Sequence, residues 1–364
     1  MKLDILIVDD SIVYRKALFE AVEKTGISGD IKAISRGALA LEWLKNKKAD
    51  VILLDLYMPE MTGLEVLDAL KRDYPEIDVI MISSKDGEEK ENVMKALSMG
   101  AFDFIFKPTS GDYQSNIIKI KDTLRILFYS IIQKRSLNLK SEYIHEANKE
   151  KKSFLENEGV VKSKNYFQNP FLILIACSTG GPSALEKILS NKLFDVSSPI
   201  LIVQHMPEDF TESLAKSLNS KSHMNVKEAE DMEVCEKGKV YIAKGGYHME
   251  VENNSGNPYI VLNKDSAVNG LRPSADKLFT SVANNFSGKK ILVIVLTGMG
   301  NDGLLGVREL KEKCDCYCIT QSEESCLVYG MPKSIENEKL SDESLELESI
   351  TKRIFEINNK GLIC

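Results

Sequence analysis

The stretch Phe171-Leu-Ile-Leu-Ile-Ala-Cys-Ser-Thr-Gly-Gly181 constrains the fold of this chain more than any other. Its first seven residues carry no charge. A run of that length with nothing to solvate reads as a strand buried on both faces of a parallel sheet. It stops abruptly at Ser178-Thr-Gly-Gly181, and Pro182 and the helically spaced segment from Ser183 to Leu189 follow. Ser178 therefore falls in a strand-to-helix turn at the carboxyl end of a strand. Open α/β sheets bind ligands along that edge, and the free N–H groups of such a turn stabilise negative charge. Ala176-Cys-Ser-Thr-Gly180 is close to G-x-S-x-G, with Ala in the first small position. The stretch suits a serine nucleophile. It also suits a glycine-rich phosphate loop or a plain tight turn.

Two later strands favour the nucleophile. Pro199-Ile-Leu-Ile-Val203 ends in Gln204-His205-Met206-Pro207, which puts His205 at the same kind of strand end. A neutral imidazole there can take a serine proton near pH 7. Lys290 to Leu296 is the most apolar strand and runs into Thr297-Gly-Met-Gly-Asn-Asp-Gly303 before a helix over Leu304 to Lys313. Asp302 in that loop can orient the imidazole, and the N–H of Met299 can help form an oxyanion hole. Taken alone, Asn301 or Asp302 reads better as a helix cap. Three strand-end loops carrying Ser, His and Asp favour a triad. Their order along the chain differs from those of the α/β-hydrolases, chymotrypsin and subtilisin, which points to a separate hydrolase family. His223, in a polar loop, and His248, in a turn after Gly245-Gly246, compete less well.

The first third of the chain carries a different pattern. Strands over Leu3–Val8, Ile31–Ile34, Val51–Leu54, Val79–Ile82 and Phe102–Phe106 alternate with helices, which argues a doubly wound parallel sheet. Their ends deliver Asp9 and Asp10, Asp55, Ser83 and Lys107 to one edge, and Ser11 is placed to cap the first helix. Three carboxylates together repel one another unless a cation neutralises them, and an all-oxygen set suits Mg²⁺. A carboxylate so placed can form an acyl phosphate, with Lys107 and Ser83 meeting the phosphoryl oxygens. From Lys134 to Lys164, Lys, Glu, Ser and Asn dominate without a repeated apolar face, which reads as a partly helical or flexible tether.

The 364 residues allow two domains and a linker. The net charge of −7 disfavours nonspecific nucleic-acid binding. No apolar run has the length of a membrane span, and the N-terminus turns acidic too soon for a signal peptide. The seven cysteines lie mostly in apolar contexts, as expected in a reducing cytoplasm. Cys314, Cys316 and Cys318 alternate on one strand face and read as small buried residues rather than metal ligands.

These motifs carry two resemblances. Residues 3 to about 122 resemble a response-regulator receiver, on Asp9-Asp10, Asp55, Met58-Pro59, Gly63, Ser83 and Lys107-Pro108. The resemblance implies a flavodoxin-like fold and Asp55 as phosphoacceptor. It also implies Mg²⁺ held by Asp9, Asp10, Asp55 and the carbonyl of Tyr57, Phe104 as the aromatic switch, and a chemotaxis-type histidine kinase as phosphodonor. Residues 169 to about 355 resemble the catalytic domain of the chemotaxis protein-glutamate methylesterase (CheB) family. The matching motifs are Ser178-Thr-Gly-Gly181, Val203-Gln-His-Met-Pro207, Lys244-Gly-Gly-Tyr-His-Met249, Arg272-Pro-Ser-Ala-Asp-Lys-Leu278, Leu296 to Gly303 and Gly330-Met-Pro332. That family implies a Ser178–His205–Asp302 triad with Thr179 and Met299 N–H groups as oxyanion donors. It implies hydrolysis of glutamyl methyl esters on chemoreceptors, deamidation of certain glutamines, and no cofactor for the esterase step. Ala176-Cys177 replaces the family's Gly-Ala, and the connector is long and charged. The expected organisation is a receiver over 1–122, a linker over 123–168 and a hydrolytic α/β domain with a mostly parallel sheet over 169–364. The unphosphorylated receiver is expected to restrain the esterase. A receiver driving a ligand-binding module and a small-molecule esterase are the rival readings.

Overall fold

Buried β-branched runs alternate with amphipathic helices, so the chain builds parallel sheets covered by helices on both faces. The computed structural model describes residues 2–84, 87–108, 112–149, 167–192, 194, 196–208 and 210–359. Its contacts divide the chain into two units, Met1–Ile132 and Gln133–Cys364.

The first unit contains β1 (Leu3–Val8), α1 (Ile12–Lys24), β2 (Ser28–Ile34), α2 (Gly37–Leu44), β3 (Val51–Asp55), α3 (Gly63–Asp73), β4 (Asp78–Ser83), α4 (Gly87–Ser98), β5 (Asp103–Phe106) and the start of α5 (Tyr113–Lys149). The five strands are all parallel, in the order β2-β1-β3-β4-β5. This is the flavodoxin-like order, whose switch point lies between β1 and β3. Every residue of β3 and β4 is buried. Ser11 caps α1 as its position predicts, its hydroxyl accepting the Tyr14 N–H at 3.5 Å. A capping box between Thr62 and Glu65 starts α3.

α5 is a single helix of 37 residues, so a helix occupies 123–149, the first part of the expected linker. Good helix formers (Lys, Leu, Glu, Ala) without Gly or Pro carry the helix on where the apolar face has already faded. The rest of that linker, 150–166, lies outside the described residues, as does the side chain of His145.

The second unit contains β6 (Leu172–Cys177), α6 (Gly181–Leu189), β7 (Ile200–Gln204), α7 (Phe210–Lys221), β8 (Asn225–Glu228), β9 (Lys239–Ile242), β10 (His248–Asn254), β11 (Asn257–Asn263), α8 (Ala275–Asn285), β12 (Lys290–Val295), α9 (Leu304–Lys313), β13 (Asp315–Gln321), α10 (Met331–Asn337), β14 (Glu343–Leu345) and α11 (Leu347–Asn359). Seven strands form one parallel sheet, β14-β13-β12-β6-β7-β9-β8. The chain enters at the central β6, winds outward through β7, and later returns to the other side of β6 at β12. The crevice beyond β6 is therefore the switch point at which such folds bind ligands. The uncharged run from Leu172 to Cys177 is wholly buried, as a central strand requires. β10 and β11 form a separate antiparallel hairpin. His248 opens that hairpin as a fully buried strand residue rather than lying in a turn, because the pairing with β11 runs back to it, opposite Asn263.

Candidate active site

Two clusters of reactive side chains lie at strand ends, one in each unit. In the first, Asp9 and Asp55 end β1 and β3 on either side of the switch point, both buried. Lys107 Nζ lies 2.9 Å from Asp9 Oδ2 and 2.7 Å from Asp55 Oδ2. Burial, and then the neighbouring Asp9 charge, push the Asp55 carboxyl up to about 6 against the opposing pull of Lys107. The Tyr57 N–H also donates to Asp55. Carboxylate oxygens of Asp9, Asp10 and Asp55 lie within 4.8 Å of one another. One lysine cannot balance three carboxylates, and a hard oxygen set of this kind fits Mg²⁺. Among the described residues no other group of three His, Cys, Asp or Glu is so placed, the cysteines of β13 included. The Ser83 hydroxyl is paired with Glu89 at 2.8 Å, and the ring of Phe104 packs edge-on against Phe106 at 5.1 Å.

The second cluster sits beyond β6, β7 and β12. Ser178 leaves β6 with its N–H on the Thr297 carbonyl at 3.0 Å, which ties it to the end of β12. Gln204, buried at the end of β7, donates its amide to the carbonyls of both Ser178 (3.0 Å) and His205 (3.1 Å). The His205 N–H reaches the Cys177 carbonyl at 3.0 Å. Ser178 and His205 are thus strapped side by side through their main chains. Gly298 is needed beside them, because a Cβ there would lie 2.8 Å from Ser178 Cβ and 2.5 Å from Met331 Sδ.

His205 and Asp302 meet directly, with Nε2 donating to Oδ2 at 2.7 Å and both side chains nearly buried. Asp302 also accepts from the Ser274 hydroxyl (2.7 Å), the Ala275 N–H (2.6 Å) and the Asp276 N–H (3.1 Å). Burial alone would raise this carboxyl. The bonds from His205, Ser274 and Ala275 outweigh that and hold it below its ordinary value. An ionised Asp302 can only accept, so the Nε2 proton stays on the ring and Nδ1 is the nitrogen left to act as base.

The cap expected of Asn301 or Asp302 takes an unexpected form. Asp302 caps α8, a helix earlier in the chain, and Asp276 of α8 accepts the Gly306 N–H of α9 at 2.9 Å. The two helices cap one another. Ser274 and Gln204 are the participants that reading by residue type misses. Both lie inside stretches singled out as motifs, but nothing in a lone Ser or Gln marks its partner. His248 stands apart from this cluster, with Nε2 on the Ser266 carbonyl at 3.2 Å.

An acidic cluster on a receiver-like sheet, joined to a second parallel sheet with Ser, His and Asp at its strand ends, defines a receiver-linked hydrolase of α/β fold. The family model described as CheB methylesterase matches residues 173–354, and that of the response regulator receiver domain matches residues 5–119. A protein-glutamate methylesterase/protein-glutamine glutaminase of Halalkalibacterium halodurans is 39% identical over 97% of this chain and 97% of its own length. The protein of that name from Bacillus subtilis is 37% identical over 96% and 97%. The Thermotoga maritima CheB methylesterase catalytic domain is 37% identical, covering 52% of this chain and 98% of its own, with a TM-score of 0.49. The chain belongs to the CheB methylesterase family.

Proposed function

We propose that this chain is a phosphorylation-regulated protein-glutamate methylesterase and glutamine deamidase. Its substrates are glutamyl methyl esters and certain glutamines on cytoplasmic segments of chemoreceptors, and a histidine kinase is its phosphodonor. The observation that carries the reading is the 2.7 Å contact between His205 and the fourfold-bonded Asp302, set beside Ser178 at the switch point. No helix among the described residues is long and apolar enough to cross a membrane. The protein would meet its receptors from the cytoplasm.

In this mechanism Ser178 Oγ attacks the ester carbonyl while His205 Nδ1 takes the hydroxyl proton. Asp302 fixes the ring and stabilises its cation. The N–H groups of Thr179 and Met299 face the developing oxyanion. Return of the proton from His205 releases methanol, or ammonia from a glutamine. Water then cleaves the acyl-enzyme by the same route. On the receiver, Asp55 accepts the phosphoryl group, Lys107 pairs with its oxygens, and Ser83 and Phe104 report the change. Asp9, Asp10, Asp55 and the Tyr57 carbonyl would hold Mg²⁺, which supplies charge neutralisation for phosphoryl transfer.

The test is methanol release from methylated receptor membranes. Ser178→Ala should lower release by at least about a thousandfold while leaving the folded signal by circular dichroism unchanged. Release at the parental rate would remove Ser178 from the chemistry.

A further inference from the structure

Beside the His205–Asp302 pair lies a cationic rim that the chemistry above does not use. Gly245 packs against the loop that carries His205, and a Cβ there would lie 2.5 Å from the Pro207 carbonyl oxygen and 2.7 Å from the Glu208 nitrogen. The next residues bring Tyr247 to the surface. Lys264 Nζ lies 4.6 Å from the centre of its ring, and Lys244 Nζ lies 5.7 Å from it. Arg272 stands two residues before Ser274, the residue that holds Asp302. Its Nη1 is spent on the Lys264 and Asp265 carbonyls at 3.1 and 3.0 Å, and its own carbonyl accepts the Gly246 N–H at 3.2 Å. Arg272 therefore joins the loop carrying Lys264, through its guanidinium, to the loop carrying Tyr247, through its main-chain carbonyl.

The neighbouring lysines have acids of their own. Glu228 lies 3.5 Å from Lys244 and neutralises it in part, and Asp265 is engaged by Lys277 at 3.2 Å, Lys277 meeting Glu250 at 3.6 Å as well. Glu208 stands near Gly246. Among the described residues, Lys264 and Arg272 have no carboxylate partner. A chain of net charge −7 would repel an acidic partner unless the docking face were locally basic.

We propose that Lys264, Arg272 and Tyr247 form a recognition rim that takes a carboxylate flanking the scissile glutamyl group on an acidic substrate segment. The proposal rests on the esterase reading and specifies its substrate. The reaction itself supplies the ligand, because each hydrolysed ester leaves a carboxylate. A segment with several modifiable glutamates then carries anions beside its remaining esters. The half-buried ring holds Lys264 by a cation–π contact, and Arg272 keeps guanidinium N–H groups beyond the two carbonyl bonds for a carboxylate.

The experiment uses the full chain and methylated receptor membranes, with methanol release followed against receptor concentration at about 20 mM and about 300 mM salt. Lys264→Glu should raise KM about five- to tenfold at low salt with kcat changed less than about twofold. The difference should shrink at high salt. Lys264→Arg should restore the parental KM, and Arg272→Gln should raise it in the same direction. A KM for Lys264→Glu equal to that of the parent, or a difference indifferent to salt, would overturn the rim alone. No methanol release by the parent chain would overturn the esterase reading and the rim with it.

Discussion

Asp302 does two jobs with four bonds. It orients His205, and it satisfies the first N–H groups of α8 together with Ser274. Asp302→Asn keeps the shape but puts an amide where the ring needs an acceptor. It should lower kcat by three to four orders of magnitude, about the cost of losing the correct tautomer in serine hydrolases. A loss of less than about tenfold in steady-state methanol release would show that the imidazole is oriented otherwise. Much of this was legible beforehand, because Ser178, His205 and Asp302 each follow an apolar run and strand ends are where such folds keep their chemistry. Which helix Asp302 caps was not legible. The α8 N-terminus lies 27 residues away in sequence from the residue that caps it, and no local pattern encodes so distant a partner.

At the scale of elements, the mutual capping of α8 and α9 makes a pH-sensitive joint. Burial pushes the Asp276 carboxyl up to about 6, with the Asp302 charge adding to it and the Gly306, Gly303 and Leu305 N–H groups opposing. A folded-state value above the ordinary 3.8 means the folded state favours the protonated acid. Its contribution to stability is complete below about pH 4 and is lost as pH rises through about 6. Asp276→Asn should flatten that part of the stability profile, so the variant gains on the parent between pH 4 and 7 in urea unfolding. A gap between the two that stays constant across this range would count against the assignment. Strands were the most legible elements, since buried parallel strands announce themselves as uncharged runs. The length of α5 and the hairpin of β10 and β11 were less so. Helix propensity outlasts the apolar face in the first, and polar residues such as Asn253 and Asn254 interrupt the alternation of the second.

Over the whole molecule, the two units have separate sites but one regulated output. If Asp55 is the phosphoacceptor, a small-molecule phosphodonor with Mg²⁺ should raise methanol release severalfold in the parent chain. It should do nothing to Asp55→Asn, whose basal rate should match that of the unstimulated parent. An equal rise in both would place the phosphorylated residue elsewhere. The order of the seven-stranded sheet carries a last consequence. Ser178, His205 and Asp302 follow β6, β7 and β12, its three middle strands, while β14 and β8 form the margins. Denaturant and proteases work inward from margins, which open at lower free energy than interior strands. If these three are the reacting groups, they hang from the part of the sheet that gives way last, so hydrolysis should persist through fraying of the borders and cease only when the sheet itself comes apart.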